Sequence, residues 1–195
     1  MIQEDILVRY GAVTKELEKG ETLFQEGEIP VFYYQVLTGE VRLVNYNDKG
    51  KAMIQGIFNE GEGFAAPAII GNYAACSGAE ATQPTTLICL ERQRFRQMLS
   101  ENSAISLKLL EYLSKRLQFK TMVAKEINCN EAELRILNLL RFLKKESGQE
   151  GEYEVGLTRQ TIGDIIGLRV ETAIRAIKNL EAKKYLKVKN RKLYL

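Results

Sequence analysis

The sequence predicts an α+β chain in three parts: an N-terminal all-β sandwich or barrel, one long helix, and a C-terminal helical unit ending in a β-hairpin. Three observations predict it. Up to residue 99, short apolar runs alternate with glycine-bearing turns at spacings of about ten residues. From residue 103 the apolar period lengthens to that of a helix. Near the end, "LTRQTIGDIIGLRVETAIRAIKNLE" holds two amphipathic runs hinged at one glycine, followed by an alternating basic tail.

The strands come first. "ETLFQEG", "YYQVLTGEVRLVNYNDKGKAMIQGIF" and "TTLICLE" each read as strands bounded by turn residues. Val36, Val41 and Leu43 lie in strand-like runs on either side of Thr38-Gly39, read as a reversal. The next reversal is Asn47-Asp48-Lys49-Gly50. Several short strands at spacings of about ten residues argue for a sandwich or barrel over a βαβ sheet.

In residues 103–127 apolar side chains recur at 105, 109, 112, 113, 117, 123, 124 and 127, a helix of about 25 residues. So long a stripe must cover something. Its own barrel and the same helix of a second chain are both open; the persistence of seam spacings favours the second, with Ile105, Leu109, Leu113 and Leu117 lining the contact. Residues 131–146 form another helix, with Leu134, Ile136, Leu137, Leu140 and Leu143 inward, and it stops at the polar loop "ESGQEGEY". The expected domains are therefore 1–102, 103–127 and 128–195.

The final unit has the clearest local grammar. Thr158 is a good N-cap for a helix running to Ile166, because its hydroxyl accepts from first-turn N–H groups that lack partners. Ile162, Ile165 and Ile166 supply its buried side, and Gly167 permits the left-handed residue that ends a helix cheaply. A second helix starts near Val170. At 100° per residue, Ala173, Ala176, Ile177 and Leu180 cluster on one side. Glu171, Arg175 and Lys178 point nearly opposite, with Val170 and Ile174 on a flank. Then "KKYLKVKNRKLYL" alternates about Asn190-Arg191 as a hairpin carrying Lys187, Lys189, Arg191 and Lys192. Helix, glycine turn, helix and basic hairpin make a winged helix-turn-helix, whose second helix enters the major groove of DNA.

Composition narrows the function. The chain has 195 residues, is 45% apolar and 27% charged, and has no apolar run of the roughly 20 residues a membrane span needs. No membrane partner is expected, and a cytoplasmic location is. Histidine is absent, which removes the usual general base and the commonest metal ligand, so an enzyme is not expected. Cys76, Cys89 and Cys129 are scattered, which argues against disulfides and metal sites. Residues 155–195 carry ten Lys or Arg against three acids, a balance of +7, whereas the other 154 residues hold 18 bases and 22 acids, a balance of −4. A basic tail on a mildly acidic body suits a polyanion partner.

The sequence resembles the CRP/FNR superfamily of bacterial transcription regulators over nearly its whole length: "KGETLFQEGE", "YYQVLTGEVRLV", the long helix, and a glycine turn followed by V-E-T-x-x-R. The resemblance implies a cyclic-nucleotide-binding-like double-stranded β-helix (a jelly-roll-like β-roll), a dimerisation helix and a winged helix. Its partners would be an inverted-repeat operator in double-stranded DNA and RNA polymerase. It implies that Glu171 and Arg175 read bases, with Ile174 and Val170 beside them. Thr158, Arg159 and Gln160 match phosphate-contacting positions. Arg169 stands where a serine is common, and with Lys178, Lys187 and Lys189 it is expected on phosphates too. The ligand motifs depart from the pattern. Nucleotide binders carry F-G-E and R-S-A or R-T-A; this chain has Phe64-Ala65-Ala66 and Ser77-Gly78-Ala79, and the hydroxyl pair on the long helix falls at Lys120-Thr121. Burying a cyclic phosphate without a cation is costly, so cyclic AMP is not the expected effector. The scattered cysteines do not suit the family's iron–sulfur cluster, and a haem would need a ligand other than histidine. No cofactor is predicted.

Overall fold

The computed structural model describes residues 2–129 and 131–195, with residue 129 described by its backbone alone. The chain divides into two compact units, Met1–Arg116 and Leu117–Leu195.

The first unit is the β-roll. A short helix α1 (Glu4–Arg9) leads into strands β1 (Val13–Leu17), β2 (Thr22–Phe24), β3 (Phe32–Thr38), β4 (Glu40–Tyr46), β5 (Ala52–Asn59) and β6 (Gly63–Phe64). Helix α2 (Ala66–Gly71), strands β7 (Gly78–Ala81) and β8 (Thr85–Glu91) and helix α3 (Arg92–Glu101) complete it. The strands form two four-stranded antiparallel sheets, ordered β1-β8-β3-β6 and β2-β7-β4-β5. Asn47–Gly50 is the hairpin turn joining β4 to β5, as its residue types predict. Thr38-Gly39 is not a hairpin: β3 and β4 lie in different sheets, and the pair is a corner between them. Gly39 has φ +92°, and a Cβ there would lie 2.5 Å from the Pro84 carbonyl and 2.7 Å from Thr85 Cα. Only glycine fits that crossing.

Consecutive residues of β3 and β8 are buried, Val36, Leu87, Ile88 and Leu90 among them, so this sheet is covered on both faces. The Tyr33 and Phe95 rings stack at 4.4 Å between centroids, which anchors α3 on the sheet. Gln35 is a buried amide with both ends satisfied. It donates to the Ile2 carbonyl at 2.9 Å, and its oxygen accepts from Ile2 N–H at 3.1 Å and the Tyr33 hydroxyl at 3.0 Å.

Helix α4 (Ser103–Cys129) runs through the division. Its first half belongs to the roll: Leu109 is only 3% exposed, and Ile105, Tyr112 and Leu113 pack on the same core. In its second half the Phe119 ring meets Phe142 at 5.6 Å, and the buried Glu126 carboxylate accepts from Asn138 Nδ2 at 3.0 Å. This sharing corrects the expected seam. Ile105, Leu109 and Leu113 face the roll, and of the four residues assigned to a chain–chain contact only Leu117 is exposed.

The second unit adds α5 (Ala132–Ser147), β9 (Glu154–Val155), α6 (Arg159–Ile166), α7 (Val170–Ala182), β10 (Lys187–Lys189) and β11 (Lys192–Tyr194). The strands pair in the order β10-β11-β9. Ile136, Leu137 and Leu140 of α5 are buried as read from the sequence; Leu139 is buried as well, and Leu134, expected inside, is 49% exposed. Among the described residues no helix is long and apolar enough to cross a membrane.

Candidate nucleic-acid interface

The helix pair is built by local chemistry. Thr158 caps α6, its hydroxyl accepting from Thr161 N–H at 3.0 Å. Gly167 takes φ +72°, and Leu168 N–H returns to the Gly163 carbonyl at 2.9 Å. Gly163 is a functional position the sequence reading missed. A Cβ there would stand 3.0 Å from the Leu168 carbonyl oxygen, so a helix-interior glycine lets the turn close onto α6. That glycine, unexplained inside an otherwise good helix, was the available signal.

With the turn closed, Ala173, Ala176, Ile177 and Leu180 are buried, and the opposite face of α7 presents Glu171, Arg175 and Lys178 to solvent. Ile174 is exposed beside them, Val170 is half-buried, and Arg169 stands exposed at the N-cap. Among the described residues neither Arg169, Arg175 nor Lys178 has a carboxylate partner.

The residues expected on phosphates behave unequally. Gln160 spends its amide on the buried Asp164, donating at 2.8 Å. Arg159 donates from Nη1 to the Arg191 carbonyl at the tip of the wing, 2.9 Å away. Lys187 and Lys189 both reach Glu152, at 3.0 and 3.1 Å, and Lys192 pairs with Glu154. Period-2 alternation explains this. Residues 187, 189 and 192 share the outer face of the hairpin, where Glu152 and Glu154 arrive from β9 and the loop before it. The Lys187 and Lys189 ammonium groups hold the Glu152 carboxyl below the usual carboxylate range, and Lys192 does the same to Glu154.

The remaining candidates lie in the roll and on α4. Phe64, Ala66, Ser77 and Ala79 are buried, Gly78 is half-buried on β7, and Ala65 holds φ +65° ahead of α2. The roll interior beside them is aromatic. Phe64 lies 5.2 Å from Phe58, 5.3 Å from Tyr34 and 6.4 Å from Phe24, centroid to centroid. Burial pushes the Tyr34 hydroxyl up to about 12. From α4, Arg116 lays its guanidinium 4.5 Å from the Phe58 centroid, over Gly56, where any side chain would collide with it. Arg116, Gly56 and this ring cluster escaped the sequence reading, since nothing local links positions so distant along the chain. Thr121 is exposed on the second half of α4 and turns its hydroxyl to the Leu117 carbonyl at 3.0 Å.

The exposed face of α4 is a different apolar stripe from the one expected. Leu107, Leu110 and Leu117 are 59%, 61% and 67% exposed. With Ser114, Thr121 and Ala124 they recur at alternating intervals of three and four. Like Thr121, Ser114 turns its hydroxyl onto its own helix, to the Leu110 carbonyl at 2.8 Å.

Comparisons with known proteins agree with this architecture. Residues 14–102 match the family model for the cyclic nucleotide-binding domain, and residues 134–195 match the Crp-like helix-turn-helix domain. The cAMP-activated global transcriptional regulator CRP of Haemophilus influenzae is 28% identical over 165 residues, 82% of this chain and 73% of that protein. Two solved structures share the fold. CooA of Carboxydothermus hydrogenoformans has a TM-score of 0.84 at 17% identity, covering 100% of this chain and 87% of that one. FixK2 of Bradyrhizobium japonicum has a TM-score of 0.76 at 23% identity, covering 94% and 92%.

Proposed function

The chain belongs to the CRP/FNR family of DNA-binding transcription regulators, and from that premise we propose how its parts divide the work. Helix α7 reads an operator, α4 joins two copies, and the roll acts without cyclic AMP. Arg175 donates twice to guanine O6 and N7, and Glu171 accepts from a cytosine amino group. Ile174 and Val170 meet thymine methyl groups. Thr158, Arg169 and Lys178 hold the phosphates on either side. The observation that carries this reading is the outward face of α7, with its acid and two bases exposed and both bases without a carboxylate partner among the described residues.

For the pairing helix, the exposed Leu107-Leu110-Leu117 stripe supports a parallel seam between two copies. A two-fold dimer sets its reading helices about 34 Å apart, so the operator is an inverted repeat with half-sites one turn apart. RNA polymerase is the further partner at a promoter. For the roll, Ala66 offers no carboxylate to a ribose and Ser77-Gly78-Ala79 no guanidinium to a cyclic phosphate. The Phe24, Tyr34, Phe58 and Phe64 rings occupy the interior beside them.

Selection of bound sites from a random duplex pool tests the reading. We expect enrichment of an inverted repeat, and titration calorimetry with cyclic AMP giving no heat at micromolar ligand. Absence of salt-sensitive retention on any duplex would overturn the assignment of α7. For the seam, Leu110→Glu with Leu117→Glu should give a monomer by light scattering and lose the preference for two half-sites over one; an intact dimer would refute it.

A further inference from the structure

We infer that Arg191, at the tip of the wing, enters the minor groove flanking each half-site and reads its width, favouring A·T-rich flanks. The inference rests on α7 reading the major groove, as proposed above.

Three observations carry it. The first is charge. Of the four basic residues on the hairpin, Lys187, Lys189 and Lys192 are engaged by Glu152 or Glu154, and of these four the Arg191 side chain alone has no carboxylate partner among the described residues. The second is backbone conformation. Lys189 pairs with Lys192, so Asn190 and Arg191 form a two-residue loop, and both are left-handed, at φ +49° and +64°. That is a type I′ turn, for which asparagine followed by glycine is the ordinary choice. Arginine gains nothing from this backbone, so its presence asks for a reason in the side chain, and a strained position at an exposed tip is where function is commonly found. The third is placement. Arg159, the first residue of α6, donates to the Arg191 carbonyl at 2.9 Å and ties the tip to the end of α6.

Placement gives the groove. In helix-turn-helix docking the first helix crosses the sugar–phosphate ridge while the second lies in the major groove. A ridge has the major groove on one side and the minor groove on the other. A tip fastened to the start of α6 therefore reaches past the ridge, toward the minor groove. The minor groove of A·T tracts is narrow and strongly negative, and guanidinium, flatter and less hydrated than ammonium, enters it readily. Specificity would thus extend beyond the bases that α7 touches.

The test uses the duplex that full-length protein selects from a random pool, rebuilt with A·T, G·C or inosine·cytosine flanks. Inosine·cytosine presents the major-groove edge of G·C and the minor-groove edge of A·T. We expect the wild-type protein to treat inosine·cytosine like A·T and to bind both about three- to tenfold more tightly than G·C. Arg191→Ala, which faces the same backbone strain as arginine, should abolish the difference and lower the slope of log K against log salt by about 1. Arg191→Lys should keep the slope and lose most of the preference. A wild-type protein that binds the selected duplex but groups inosine·cytosine with G·C would overturn the inference, as would an Arg191→Ala variant that retains the preference. If no duplex is bound at all, the reading of α7 falls first.

Discussion

Two surfaces of the winged unit carry similar charge and differ in what that charge is free to do. On the outer face of the hairpin, Lys187, Lys189 and Lys192 lie against Glu152 and Glu154. On α7 and at its start, Arg169, Arg175 and Lys178 are exposed with no carboxylate partner among the described residues. A window opened at residue 155 shows a balance of +7; opened at residue 152 it holds ten bases against five acids, +5. The two added acids are the ones that fold back on the wing. Net charge along the chain therefore overstates the charge left without a carboxylate partner on the outer face of the hairpin. A phosphate approaching Lys187 meets a carboxylate already beside the ammonium; one approaching Lys178 does not.

The comparison breaks most easily at Arg175. Arg175→Ala should cost about 1–3 kcal/mol on the selected operator and relax specificity at one guanine in each half-site, with little change on random duplex. Competition binding checks both arms, and equal losses on the two duplexes would erase the distinction between the surfaces.

A smaller effect is expected at Glu152. Glu152→Gln frees Lys187 and Lys189, so affinity for random duplex should rise and the salt slope steepen by about 1 to 2. Lys187→Ala in the native background should change either binding mode less than Arg175→Ala changes operator binding, because the Lys187 ammonium already shares the Glu152 carboxylate with Lys189. Filter binding over a salt series reads this directly; a large uniform loss in Lys187→Ala would return the wing lysines to the phosphates.

Acid sharpens the contrast further. The Glu152 and Glu154 carboxyls titrate below their ordinary value of 4.5 because lysines donate to them. A depressed carboxyl contributes stability that is complete above its unfolded value and is lost as pH falls through the folded one. The thermal midpoint of the native protein should fall on going below pH 4.5, and the Glu152→Gln, Glu154→Gln double variant should fall less steeply. Parallel curves would show that the wing pairs hold nothing.

The smallest effect lies at the junction of the two surfaces. Lys184 ends α7 in the left-handed region, φ +62°, with Tyr185 N–H returning to the Leu180 carbonyl at 2.9 Å. Lys184→Gly should stabilise the protein by about 0.5–1 kcal/mol in denaturant titration, since glycine takes that conformation without a Cβ clash.

Much of this architecture was legible along the chain where its causes are local. The cap at Thr158, the turn at Gly167 and the buried Ala173-Ala176-Ile177-Leu180 face follow from residue type and a 3.6-residue period. The Asn47–Gly50 turn follows from its own residues. Legibility failed where two local answers are equally good. Helix α4 carries one stripe at Ile105, Leu109 and Leu113 and another at Leu107, Leu110 and Leu117, their mean directions about 115° apart at 100° per residue, and both recur at helical spacing. Which one covers the roll depends on shape complementarity with strands far away in sequence. The corner at Thr38-Gly39 looks like a hairpin turn because a turn and a sheet crossing ask for the same glycine.

By itself, then, the sequence determined the strand-rich start, the long helix, the inward face of the reading helix and the kind of module at each end, because hydrophobic period and capping act within a few residues. Helices α1, α2 and α3 of the first unit were not read from it. The tertiary structure decided the partners: which stripe of α4 is left exposed, which lysines meet carboxylates, that Arg116 enters the roll above Gly56, and that Arg159 clasps the wing tip. Each of those choices joins groups separated by long stretches of chain, and such pairings exist only once the backbone has closed around its core.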